Sequence, residues 1–383
     1  MSIQHTSLIL MLALVTALGA TEAPALVEQH SVAFAADADG AHCHRIPALA
    51  TARDGSLLVA AEARRVSWKD KSPTDVVVRR STDGGKTWSG TRLVMDGGED
   101  AHMDPCLVVD QSTGRVFLFA SRWPAKDHSV RGNTAWLATS DDNGATWSKP
   151  ADISRSHFPA DSHVDGFGSG SGLQLAADSP NKGRLIAPVR LLLDTTFTNR
   201  ALYSDDHGKT WTVGTGASVA GEFQIAESGD GQLVANDRDG SRRLQFTSND
   251  GGRTWSKAEP MVDGPKIANG CQSSVLGVGK VLLYTGPAGI PSDKTHDNRG
   301  RLTLRRSLDG GKTWPESQQL DDRAAGYSCL TKMADGRVAV VFETADTPGF
   351  VIAGDRRNWM RIDVLVLSAA VTDPAKPLVS NKR

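Results

Sequence analysis

Residues 81–88 read Ser-Thr-Asp-Gly-Gly-Lys-Thr-Trp. A carboxylate beside two glycines and a Lys-Thr step could cradle a phosphate, hold a metal ion or make a turn. The frame Ser-x-Asp-x-Gly-x-Thr-Trp returns at 140–147, 204–211, 248–255 and 307–314. A single reaction centre does not need five copies of one aspartate, whereas a repeated architecture needs the same turn in each repeat. Asp83, Asp142, Asp206, Asp250 and Asp309 are therefore expected to be structural, and the chemistry is expected in residues that occur once. None of Cys43, Cys106, Cys271 and Cys329 shows zinc-site spacing, and no EF-hand-type loop is present. No metal or cofactor is expected.

The elements that must position a single site follow from the runs around each frame. Short apolar stretches precede the five copies, at 75–80, 134–139, 200–203, 243–247 and 301–306. Others lie between them, at 55–63, 115–121, 183–190, 231–236, 280–286 and 337–343, many just after a glycine turn. No long stretch has helical period, so the chain is expected to be all-β, as a sandwich, barrel or propeller. The frames start 59, 64, 44 and 59 residues apart, room for about four strands per unit, which suits a propeller blade. In each frame Asp can accept backbone N–H bonds, Gly supplies positive φ, and Thr-Trp is expected to start the next strand with Trp packed beneath the turn. Five framed blades leave 326–343 and 361–369, which can join 31–36 to close a sixth. The reading is a six-bladed β-propeller with five boxed repeats, one domain over 24–383.

Composition narrows the partners. The chain has 383 residues, 39% hydrophobic and 23% charged, with net charge −1. That is an ordinary globular balance, with no sign of a nucleic-acid or acidic-membrane partner. The apolar run at 7–20, ending in small residues, is shorter than the roughly 20 residues of a membrane span. It reads as a secretory signal, cleaved near Ala20 or Ala23, so that 1–23 is removed, the mature form has no membrane span and the protein is secreted or periplasmic. In that setting the four cysteines are either bridges or buried thiols.

The repeated frame resembles the Asp box of the sialidase (neuraminidase) family, whose fold is a six-bladed propeller. The single-copy segments carry the resemblance over about 40–370. "HCHRIPALA" (42–50) resembles the aromatic-Arg-Ile-Pro motif, with Arg45 as the matching arginine and His44 where the family has Tyr or Phe. In "EARRVSWKDKSPTDVVVRR" (62–80), Asp70 matches the acid/base aspartate, with Asp75 its rival, and Arg64 matches an arginine lining the pocket. In "GEFQIAESGDGQLVANDRDGSRR" (221–243), Glu222 and Arg238 match the base and second arginine, with Glu227 and Arg242 as weaker rivals. Arg299 matches the third arginine, with Arg301 the alternative on the same strand face. Tyr327 matches the nucleophile, Glu343 a glutamate that braces the first arginine, and Asp104 in "AHMDPCLVVD" (101–110) a substrate-side contact. "GCQSS" (270–274) fits the family pattern too.

This resemblance implies an exo-α-sialidase that releases terminal sialic acids from glycans, glycoproteins or glycolipids. Three arginines would clamp the substrate carboxylate with charge-assisted hydrogen bonds. A neutral Tyr nucleophile avoids the repulsion that an anionic carboxylate nucleophile would meet, and sialidases are the Tyr exception among retaining glycosidases. Glu222 would take the phenolic proton, and Asp70 would protonate the leaving oxygen. A binding propeller without catalysis would show gaps in this set, and another hydrolase on the fold would lack the arginines. A related nonulosonic acid as substrate, or transfer instead of hydrolysis, stays open. Loops 121–133 and 155–172 are candidate pocket linings.

Overall fold

The apolar runs pair into antiparallel strands, four to a unit. The computed structural model describes residues 26–378 apart from 128, 218, 220, 266, 268–269, 291–298, 348–349 and 351–359. The first blade is Cys43–Thr51, Leu57–Arg64, Thr74–Ser81 and Arg92–Met95. The second is Ala101–Val109, Val116–Trp123, Thr134–Ser140 and Ala151–Asp152. In the third, Ser162–Phe167 and Leu173–Gln174 share the inner position on Leu185–Leu193, followed by Thr196–Ser204 and Thr212–Val213. The fourth is Phe223–Glu227, Leu233–Asp239, Arg242–Ser248 and Glu259–Pro260. The fifth is Ser274–Val278, Val281–Pro287, Leu302–Ser307 and Glu316–Gln319.

The sixth blade closes the ring. Ser328–Lys332, Val338–Thr344 and Arg361–Leu367 take Val27–Phe34 as their outer strand, paired antiparallel to Arg361–Leu367. The N-terminal strand expected to complete this blade does so, starting four residues earlier than the apolar pattern suggested. The expected export segment, 1–23, lies outside the described residues. Among the described residues no helix is long and apolar enough to cross a membrane, and all four cysteines are free and buried.

The core is a set of layers between neighbouring blades. Leu49 and Val59 of the first blade pack with Val341 and Val364 of the sixth, and Leu58 and Val78 pack with Leu107 and Leu118 of the second. The pattern continues around the ring to Leu283 and Leu304 against Val340 and Leu365. Both faces of a blade are covered, which is why the second strands read as unbroken apolar runs instead of alternating ones.

The repeated frames are the turns between third and fourth strands. Asp83 accepts from the N–H groups of Lys86 and Thr87, each at 3.0 Å, from the Thr87 hydroxyl at 2.6 Å and from the Ser81 hydroxyl at 2.8 Å. Asp142, Asp206, Asp250 and Asp309 accept the corresponding Thr N–H and hydroxyl. The bonds from Thr87 hold the Asp83 carboxyl below its ordinary range. The tryptophans reach beyond their own turns, although Trp211 also donates to the carbonyl of its own box glycine, Gly208, at 3.2 Å. Trp211 stands edge-on to Phe117 and Phe119 of the preceding blade, and Trp88 donates to Ser31 of the closing strand at 3.1 Å. Each Trp precedes its fourth strand, and only Thr212–Val213 begins directly after one.

The box glycine is set by the same close approach. Gly208 has φ +78°, and a Cβ there would overlap the ring of Phe117. Gly183 has φ +79° but open space around it. Gly183→Ala should therefore cost only about 1–2 kcal/mol for a left-handed alanine. Gly208→Ala should cost about 2–4 kcal/mol, because the inter-blade contact must also open. Denaturant midpoints of the two variants check this; equal losses would remove the packing role.

Candidate active site

Each inner strand starts at one end of the ring, and each box turn sits at the other. The single-copy residues gather where the inner strands start and the second strands end, so topology separates chemistry from boxes.

Two of these inner strands share a local device. His44-Arg45-Ile46-Pro47 and His102-Met103-Asp104-Pro105 both interrupt the pairing register, between Arg45 and Ala48 and between Met103 and Cys106. Ile46 (φ +53°) and Asp104 (φ +54°) are left-handed. For a β-branched residue such a conformation costs on the order of 1–3 kcal/mol and persists only where its surroundings hold it. A buried glutamate from the preceding blade does so in each case. Glu343 Oε1 accepts the Ile46 N–H at 2.8 Å and Arg45 Nε at 3.2 Å. Glu62 Oε1 accepts the Asp104 N–H at 2.9 Å. The bulge turns Arg45 into the end of the channel. His44 stacks on Phe34 at 4.7 Å, and burial lowers its pKa to about 4, so it serves there as a neutral aromatic.

The centre is Tyr327, just before Ser328–Lys332. Its hydroxyl donates to Glu222 Oε1 and accepts from Arg238 NH1 at 3.0 Å, while the same Arg238 atom donates to Glu222 Oε2 at 2.7 Å. Arg45 and Arg299 each place a guanidinium carbon 5.6 Å from the centroid of the Tyr327 ring. Arg299 is aimed by the Gly270 carbonyl, which accepts Nε at 3.2 Å and NH2 at 3.0 Å. Glu343 Oε2 also accepts the Tyr327 N–H at 3.2 Å, so one carboxylate ties the phenol's strand to Arg45. Asp70 faces this group from a loop, 2.8 Å from Arg64 NH1 and 3.6 Å from Arg45 NH1.

Electrostatics divides the acids. Burial alone would push Glu222 up, but Arg238 and Arg190 bring it below its ordinary range. Burial, then the Glu222 carboxylate, push Tyr327 well above 10. The pair thus rests as phenol and carboxylate. Asp70 is also raised by burial, yet Arg64 and Arg45 outweigh it and its pKa falls below 3.8. Burial and then the Glu62 carboxylate hold Asp104 well above the usual carboxylate range.

The rival residues lie in other places. Asp75 accepts the Gly97 N–H at 2.8 Å, apart from the cluster. Glu227 accepts the Ala176 N–H, and Arg242 pairs with Asp239 at the surface. Arg301, expected on the same strand face as Arg299, has φ +60°, precedes the strand Leu302–Ser307, and donates to the Gly289 carbonyl at 2.7 Å. Arg64 is fully buried and grips Glu62 at 2.7 and 2.9 Å, so it backs Asp70 instead of facing an open pocket. Asp104 lies behind the cluster, accepting from the Ser169 hydroxyl at 2.8 Å. Segment 155–172, expected as a lining loop, supplies an inner strand of the third blade.

Sequence reasoning missed two contributors, Glu62 and Arg190, and gave no role to Gln272 within the stretch 270–274 that it had singled out. Arg190 is a lone charge in an apolar strand, and Glu62 shares its apolar strand only with the terminal Arg64, which was the available signal. Gln272 closes the floor, donating to the Ser169 and Ser328 carbonyls at 2.8 and 3.1 Å and accepting the Ser328 N–H at 3.0 Å.

Comparison with known proteins agrees with this architecture. Residues 55–340 match the BNR repeat-like domain. The sialidase of Micromonospora viridifaciens is 33% identical over 340 residues, covering 78% of this chain and 50% of that protein. The sialidase of Bacteroides fragilis (strain YCH46) is 32% identical over 349 residues, covering 80% and 61% respectively. The chain therefore spans half to about three fifths of these relatives' length. The solved structure of the Hadza microbial sialidase Hz136 superposes with a TM-score of 0.73 at 28% identity, covering 89% of this chain and 68% of that one. Boxes that build the ring, and relatives that match across it, lead to one conclusion: the chain belongs to the sialidase family of BNR-repeat propellers.

Proposed function

We propose that the protein is a retaining exo-α-sialidase that hydrolyses terminal sialic acids from glycoconjugates. The observation that carries this is the single hydrogen-bonded unit of Tyr327, Glu222 and Arg238, flanked by Arg45 and Arg299. A sialoside bears an ionised carboxylate on the carbon that carries the glycosidic bond. Three permanently charged guanidiniums suit that group over a wide pH range. They would also bring the anomeric carbon to the phenolic oxygen between them.

Tyr327 and Glu222 rest in the states the reaction needs, and the substrate carboxylate, by offsetting the charge of Arg45 and Arg299, lets Asp70 take up a proton before the chemical step. Tyr327 Oη attacks the anomeric carbon while its proton passes to Glu222, already ionised and in contact. The bond to the leaving oxygen breaks as Asp70 donates a proton to it. The resulting aryl glycoside is hydrolysed by water, which Asp70, now ionised, deprotonates; Glu222 returns its proton to the departing phenolate. Two displacements at one carbon give retention. Positive charge developing on the sugar faces Glu222 and Asp70, which favours the transition state.

A 3-fluorinated sialyl fluoride tests this by trapping the first intermediate. Peptide mapping should find the sugar on Tyr327; label on any other residue would sink the mechanism. Product analysis with α2,3-, α2,6- and α2,8-linked sialosides, and with 5-hydroxy and 5,7-diamino analogues, identifies linkage and nonulosonic acid and separates hydrolysis from transfer. The run at 7–20 supports export as a secreted or periplasmic protein, which N-terminal sequencing of the exported protein checks.

A further inference from the structure

Asp70 stands on a loop, while most of its partners stand on or beside strands. Residues 65–73 leave the first blade after Leu57–Arg64 and return at Thr74–Ser81. The base of the loop is closed by the Arg65 N–H on the Pro73 carbonyl at 3.0 Å and the Ser72 hydroxyl on the Ser67 carbonyl at 3.0 Å. On one side of Asp70, Trp68 packs against Cys43, Ala324 and Met360, near the seam between first and sixth blades. Its carbonyl accepts from Arg64. On the other side Lys71 takes a left-handed conformation, φ +62°, and sets its ammonium over the ring of Trp123, 5.1 Å from the centroid.

Trp123 is a fixed platform. It ends the second strand of the second blade, and its indole N–H reaches Ser121 Oγ and the Asp165 carbonyl of the third blade, each at 3.0 Å. A lysine loses much rotamer freedom when held on one ring face, and a left-handed backbone is an added strain. The closure at the base of the loop requires neither. Both orient the segment immediately after Asp70 toward the second blade.

We infer that Lys71 is a positioning residue for Asp70, its contact with Trp123 holding the acid-bearing loop across the mouth of the site. The inference rests on the acid/base role proposed for Asp70. The Asp70 side chain is 65% exposed, and its ion pairs are with Arg64 and Arg45 beneath it. Both arginines are buried and meet the same oxygen, Oδ1, from below, so they fix its depth more than its direction across the mouth. Anchors on both sides, Trp68 toward the sixth blade and Lys71 toward the second, supply the direction. A general acid displaced by about 1 Å can lose about a hundredfold in rate, and the loss falls on substrates whose leaving group needs the proton.

The test compares sialyllactose with an aryl sialoside bearing an activated leaving group. Lys71→Met should lower kcat/KM on sialyllactose about tenfold and on the aryl sialoside less than about twofold. Lys71→Arg should stay within about twofold on both, because a guanidinium also stacks on indole. In an Asp70→Ala background, Lys71→Met should add nothing on sialyllactose. Equal losses on both substrates, no rescue by arginine, or an additive loss in the double variant would overturn the inference. If Asp70→Ala itself shows no leaving-group dependence, the acid/base reading fails, and this inference with it. If Asp70→Ala shows the dependence and Lys71→Met does not, this inference alone fails.

Discussion

Tyr327→Phe should lower kcat at least about 1,000-fold, roughly 4 kcal/mol of barrier, while leaving KM within a few-fold. The phenyl ring keeps the surface on which Arg45 and Arg299 rest, each 5.6 Å from the ring centroid, so the proposed carboxylate clamp survives. What disappears is one oxygen that accepts from Arg238 at 3.0 Å and donates to Glu222. Without it the oxocarbenium-like sugar has no covalent partner, and Glu222 has no proton to accept. Residual turnover must come from direct attack by water. Steady-state kinetics with a fluorogenic sialoside, and intact mass after exposure to the 3-fluorinated donor, measure both parts. A rate within tenfold of the unchanged protein, or a persisting covalent adduct, would show that the nucleophile lies elsewhere. Glu222→Gln should behave similarly but less severely, since the oxygen remains and only its base is removed.

The blade count was legible because a turn that must meet the preceding blade leaves a rigid signature. Asp83 and Gly85 are constrained by hydrogen bonds and by contact, so the frame recurs almost unchanged. The second strands were legible because both their faces are covered. Inner strands such as Ser274–Val278 and Ser162–Phe167 were harder: they are short, and their starts are irregular where the site is built. Arg299 and Arg301 could not be placed relative to each other from the sequence. Strand alternation assumes extended residues, and a φ of +60° at Arg301 breaks it. Glu62 escaped notice because its role, holding the Asp104 bulge, appears only when two strands far apart in sequence meet. Its parallel with Glu343 was nonetheless written in the paired His-x-x-Pro segments at 44–47 and 102–105.

Asp70→Ala should separate substrates by their leaving groups. On sialyllactose kcat/KM should fall about 10²- to 10⁴-fold, the usual worth of a general acid, and on an activated aryl sialoside less than about tenfold. The pH profile carries a second signature. In the free protein burial raises Asp70, but Arg64, Arg45 and Arg299 win, and its pKa lies below 3.8. An acid must hold its proton to donate it, so activity is lost as pH rises through that pKa. Glu222 must be ionised to act as base, so activity is lost as pH falls through its own pKa, which Arg238 and Arg190 hold below 4.5. Both limits of kcat/KM therefore lie on the acid side of neutrality. Bound substrate changes this. Its carboxylate would neutralise charge on Arg45 and Arg299, two of the three guanidiniums that depress Asp70, and its pKa should rise. The alkaline limb of kcat should then lie above that of kcat/KM, and Asp70→Asn should remove it when aryl sialosides are used. An unchanged alkaline limb in Asp70→Asn would assign that proton to another group and take the acid role from Asp70.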